Sequence, residues 1–158
     1  MIDKIEQWVD ETLLTFSIES ESCERLLTHF NGFYPAGFLT TCRFVVVDEI
    51  PKPDFPEVRE IKGYREFIDM DASAITYKNT YFIKEQNIGN LATHFHELVH
   101  VLQWLYLGGP GFISRYITEL QTYGYDQAPL ELMAYALDNH YSNNQAVFDV
   151  PNYVRQNL

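Results

Sequence analysis

The chain has 158 residues, 46% hydrophobic and 15% aromatic, enough to bury one sizeable core but not a second of comparable size, so residues 1–158 are expected to form one domain. A formal net charge of -11 argues against nucleic acid and against anionic membrane surfaces, whose phosphates it would repel; no apolar run approaches a transmembrane span. Cys23 and Cys42 stand far apart and outside any C-x-x-C pattern, which points away from a disulfide framework or a cysteine zinc site and toward two buried small hydrophobes.

Ile2, Ile5, Trp8, Val9 and Leu13 recur at helical spacing, which predicts an amphipathic helix over residues 2–15. That opening segment carries acids throughout and has no apolar centre of the signal-peptide kind, so a cytoplasmic protein is expected. A second helix is predicted around residues 20–30, ended by Asn31-Gly32. The β-branched and apolar run over residues 40–47 predicts a central strand, and Pro51, Pro53 and Pro56 then mark a connection that cannot lie inside a sheet. Residues 74–77 and 80–85 predict a hairpin leading into a third helix.

That helix starts at Asn87 or Asn90, both good N-caps, and runs to Leu107 before the stop Gly108-Gly109-Pro110-Gly111. Apolar residues surround it on nearly every side, which marks an interior element. Within it stands His96-Glu97-Leu98-Val99-His100, an HExxH sequence. Positions four apart lie about 40° from each other on a helix and one turn apart, so both imidazoles can face one metal ion. Glu97 is offset by less than a quadrant and can reach a water on that metal without being a ligand. With 5 histidines in the chain, random order would give this pattern in about one such chain in a hundred, so its context matters. Two histidines and a glutamate inside an apolar helix are costly without partners, and a metal site supplies them. His94 sits about 200° from His96 and is expected to face solvent or make only a secondary contact.

A catalytic zinc site has three protein ligands and an open position. The residues after His100 lack the glycine and histidine of a metzincin, so a third ligand must come from further on: Glu119, Asp126, Glu131, Asp138 or His140. Glu119 and Glu131 are the leading candidates. Residues 129–138 open with proline and predict a helix in which Ala134, one turn beyond Glu131, permits a close helix approach. Asp138 returns to the same face and can orient a ligand from behind. Helix-face geometry favours Glu131; Glu119 is expected to be a solvated helix glutamate.

His96-Glu97-Leu98-Val99-His100-Val101-Leu102-Gln103, the glycine-rich break, Arg115-Tyr116-Ile117, Gly124-Tyr125 and Pro129-Leu130-Glu131 with Ala134 together resemble the small zincin-like metallopeptidases of the gluzincin type. The match covers about residues 87–140. The resemblance implies zinc on His96, His100 and Glu131, with Glu97 as general base, in a compact α+β zincin-like fold whose edge strand binds extended substrate. Residues 80–85 are the candidate strand. The chain departs from the larger gluzincins in carrying Tyr135 where they have an aspartate four residues after the third ligand.

The function expected is zinc-dependent hydrolysis of a peptide or protein substrate. Tyr116, Tyr123, Tyr125 and Tyr135 are candidates to stabilise the oxyanion, none of them assigned. Two alternatives keep the same ligands: a toxin-like zinc hydrolase with one dedicated protein substrate, and a non-catalytic zinc-binding module, against which the intact Glu97 speaks. Nothing in the pattern fixes an oligomeric state.

Overall fold

The computed structural model describes residues 1–158. The first helix, α1, spans Ile2–Thr15 and buries Ile5 and Val9, as its periodicity predicts. The second predicted helix is replaced by a two-residue strand, β1 (Glu21–Ser22), and a 3-10 turn over Cys23–Leu26. The Ser22 hydroxyl accepts from the Glu24 N–H, and this local bond, with strand pairing just before it, diverts the backbone from an α-helix. The predicted strand over residues 40–47 starts late. Ala36–Thr41 is a short helix, α2, in which Thr40 and Thr41 bond back to the Gly37 and Phe38 carbonyls, and only Arg43–Val47 is strand, β2.

Two short helices, α3 (Pro56–Arg59) and α4 (Tyr64–Asp69), follow the proline-rich connection. Gly63 joins them at φ +82, and a Cβ there would lie 2.4 Å from the Leu120 carbonyl oxygen, so both backbone and packing demand glycine. The predicted hairpin is present as β3 (Ala74–Tyr77) and β4 (Thr80–Lys84). The four-stranded sheet has the order β1-β2-β4-β3, with β2 and β4 parallel and the other pairs antiparallel. The strand expected to offer a free edge, residues 80–85, therefore lies inside the sheet, hydrogen-bonded on both sides. β3 and the two-residue β1 are the edge strands.

Alternate residues of the sheet enter two cores. Phe44, Tyr81 and Ile83 pack with Phe30, Phe95 and Leu98 on one face; Val45, Ile75 and Phe82 pack with Val9, Phe67 and Ile113 on the other. The long helix α5 (Leu91–Leu107) contributes to both, and every residue from His94 to Trp104 is buried. Its start is capped by Asn90, whose side chain accepts from the Ala92 and Thr93 N–H groups. Its end is Gly108 at φ +74. The stop is only a corner, because α6 (Gly109–Tyr123) begins at the next residue. α7 (Pro129–Ser142) lies against α5, with Ala134 fully buried between them, and α8 (Val150–Asn157) closes the first core through Val150 and Val154. The whole is a compact, helix-rich α+β fold. No helix is long and apolar enough to cross a membrane.

Candidate metal centre

Helix spacing brings His96 and His100 together on α5, and the close approach of α7 brings Glu131 to them. The two Nε2 atoms are 3.1 Å apart, and the Glu131 Oε2 lies 3.3 Å from His96 Nε2 and 3.2 Å from His100 Nε2. Three ligands at zinc distances, about 2.0–2.1 Å, stand about 3.3 Å from one another in a tetrahedron. The observed triangle has that size, and these side chains form the buried group able to hold a metal ion.

The partners behind the triangle decide which atoms face inward. His96 Nδ1 is 2.8 Å from Asp138 Oδ2, so it donates to that carboxylate. His100 Nδ1 donates to Gln103 Oε1 at 2.7 Å, and the Gln103 amide orientation is set by its own donation to the Leu130 carbonyl. With both Nδ1 atoms donating, two Nε2 lone pairs converge on a carboxylate oxygen, and only a cation between them satisfies all three. In the metal-free form a proton serves instead. Burial opposes charge on His96, but Asp138 and Glu131 outweigh it and lift its pKa to about 10. His100 is raised too, its desolvation overcome by Glu131. Glu131 is correspondingly held well below the ordinary carboxylate range, the two histidines outweighing burial.

Glu97 lies outside the triangle. Its Oε2 accepts from the Thr76 hydroxyl at 2.6 Å, and burial raises its pKa despite the neighbouring histidines. His96, Glu97, His100 and Glu131 line one cleft, which makes Glu97 available to a molecule held beside the ligands. Tyr116, a candidate for oxyanion stabilisation, donates to Glu131 Oε1 at 2.8 Å and so orients the carboxylate. Tyr123 is exposed. Tyr125 lines the cleft, and Tyr135 packs its ring against His96, centroids 4.5 Å apart. Asp138 supports His96 from the next turn beyond the Tyr135 position.

Two expectations are corrected. Glu119 is buried, not solvated: it pairs with Arg115 and accepts the Leu130 N–H at 2.8 Å, capping the start of α7 that Ala128 leaves uncapped. His94 is buried as well. Its Nε2 donates to the Ile88 carbonyl at 2.7 Å and its Nδ1 accepts from Tyr81 at 2.6 Å, because the aromatic first core covers that side of α5. Asp126 and His140 are outside the cluster. Gln103 and Thr76 carry roles that the sequence reading missed. Gln103 could have been noticed as a polar residue one turn after His100 in an apolar helix, whereas no local signal marks Thr76 as the partner of Glu97. No family model, curated protein or solved structure matches the chain.

Proposed function

We propose that the protein is a zinc-dependent peptide hydrolase of the zincin kind, with His96, His100 and Glu131 as metal ligands and Glu97 as general base. The observation that carries this reading is the convergence of two Nε2 atoms and one carboxylate oxygen within 3.3 Å, beside a buried glutamate that belongs to none of these contacts. When bound, zinc supplies Lewis acidity, making a water acidic near neutral pH and polarising a carbonyl group.

The chain does the rest. Glu97 takes a proton from the attacking water and passes it to the departing amine nitrogen. A pKa raised by burial suits both halves of that transfer, since the carboxyl must hold the proton before giving it up. Thr76 restrains Glu97, while Tyr116, Asp138 and Gln103 fix the three ligands from behind. The edge strand β3 contributes Ala74, Ile75 and Thr76 to the cleft wall, a suitable rail for an extended substrate backbone.

The test is incubation of zinc-loaded protein with a complex peptide mixture, read by mass spectrometry, beside Glu97→Gln. New termini are expected from the unmutated protein. The variant should keep one zinc and lose turnover on the order of a hundredfold or more. Absence of cleavage in the zinc-loaded protein, or undiminished cleavage by Glu97→Gln, contradicts the proposal.

A further inference from the structure

The metal ligands stand at one end of a cleft whose remaining walls are apolar and largely aromatic. Trp104 stacks on Phe112 with centroids 4.2 Å apart, Phe112 on Tyr116 at 5.6 Å, and Phe67 meets Tyr116 edge-on at 5.8 Å. Val9 of α1 and Ile113 of α6 add aliphatic surface. The cleft holds a cavity of about 60 Å³ beside the ligands. Protein interiors are otherwise close-packed, and unfilled apolar space lowers stability, so a cavity opening onto the proposed reactive centre calls for an occupant.

We infer that this cavity receives a large apolar side chain, such as phenylalanine or leucine, adjoining the bond to be cleaved, and that the substrate is an internal segment of a peptide chain. The inference rests on the peptide-hydrolase reading above and specifies its substrate class. Charge supports both parts. No lysine or arginine lines the cavity, so a charged acidic side chain or a terminal carboxylate seated against its aromatic wall, away from the metal ligands, would lose water without gaining a cation. Its only carboxylates are Glu97 and Glu131, and both are engaged, by Thr76 and by the histidines with Tyr116. A free terminal amine would therefore find only the second oxygen of Glu97, which the hydrolysis needs for the attacking water. An apolar side chain has no such cost and gains the whole aromatic wall.

The test measures binding separately from turnover. Zinc-loaded Glu97→Gln is titrated calorimetrically with two short peptides blocked at both ends, identical except for one central phenylalanine or glycine. Burial of the aromatic ring should make the phenylalanine peptide bind on the order of tenfold tighter or more. Ile113→Phe, added to fill the cavity, should abolish that preference while zinc content stays at one equivalent. If that variant does not fold, tryptophan fluorescence in Trp8→Phe protein, where Trp104 is the sole reporter, should shift with the phenylalanine peptide and not with the glycine one.

Equal binding of the two peptides, with cleavage of the general mixture intact, overturns the pocket and leaves the hydrolase reading standing. Tighter binding of a free C-terminal carboxylate than of its amide overturns the internal-segment assignment. Failure of either peptide to bind, together with absence of cleavage, overturns both the inference and the reading beneath it.

Discussion

His94 and His96 stand two residues apart on the same helix, and their surroundings give them opposite work. His94 is closed into a chain running from Cys23 through Tyr81 to the Ile88 carbonyl, with burial lowering its pKa; His96 faces His100 and Glu131. His94→Ala should therefore keep zinc while destabilising the fold by about 1–3 kcal/mol, because a buried hydroxyl and a carbonyl lose their partner; His96→Ala should lose the metal. Zinc retention in both, or loss in both, measured by metal analysis with thermal unfolding, contradicts the assignment. Proton competition gives a second expectation. In the metal-free protein His96 is raised from 6.5 to about 10, so its stabilising charge is fully present below pH 6.5 and is lost as pH rises through about 10. Zinc must displace that proton, so its apparent affinity should rise steadily from pH 6 to 9; a flat profile by competitive chelator titration contradicts the site described. At this scale the facing of His96 and His100 was legible because helix periodicity places them on one side of α5, whereas Glu131, on a different helix, was favoured over Glu119 by its helix face and by the family resemblance. Thr76 was not legible, since its meeting with Glu97 depends on how a strand packs on a helix.

The element that completes the site is α7, and its placement depends on a residue of α6. Glu119 accepts the Leu130 N–H at the first turn of α7, one residue before Glu131. Removing that charged acceptor should cost about 1–3 kcal/mol of stability. Glu119→Ala should therefore lower the unfolding midpoint yet bind one zinc at saturating metal, whereas Glu131→Ala should fail to hold it. The reverse pattern would make Glu119 the ligand and require a different meeting of α6 with α5. Helices with strong periodicity, α1, α5 with its Asn90 cap, and α7 with proline in its first turn, were readable from the sequence. The segment over residues 20–30 was not, because the Ser22 hydroxyl bond and the pairing of β1 with β2 override its helical spacing. The edge strand was misplaced for a related reason. A hairpin shows which two strands are neighbours, but only the parallel pairing of β2 with β4 shows which of them is covered.

Across the whole molecule, the sheet is covered on both faces and α5 passes through both cores, so His96 and His100 are held by most of the fold, and a metal bound to them would stabilise that fold in turn. Zinc at a thousandfold excess over its Kd stabilises a folded state by about 4 kcal/mol, which for a chain of this size raises the unfolding midpoint on the order of 10 °C. A scan with and without zinc should show that rise in the unmutated protein and not in His100→Ala; equal rises in both would place the metal elsewhere. The central claim, a single metal on His96, His100 and Glu131 with Glu97 outside the ligand set, is tested most directly by X-ray absorption at the zinc edge on loaded protein and on Glu97→Gln. The expected result is one zinc bound by two imidazole nitrogens and carboxylate oxygen at about 2.0–2.2 Å, with the same ligand set in the variant. A site with fewer than two imidazoles, or one that loses an oxygen when Glu97 is replaced, would contradict it.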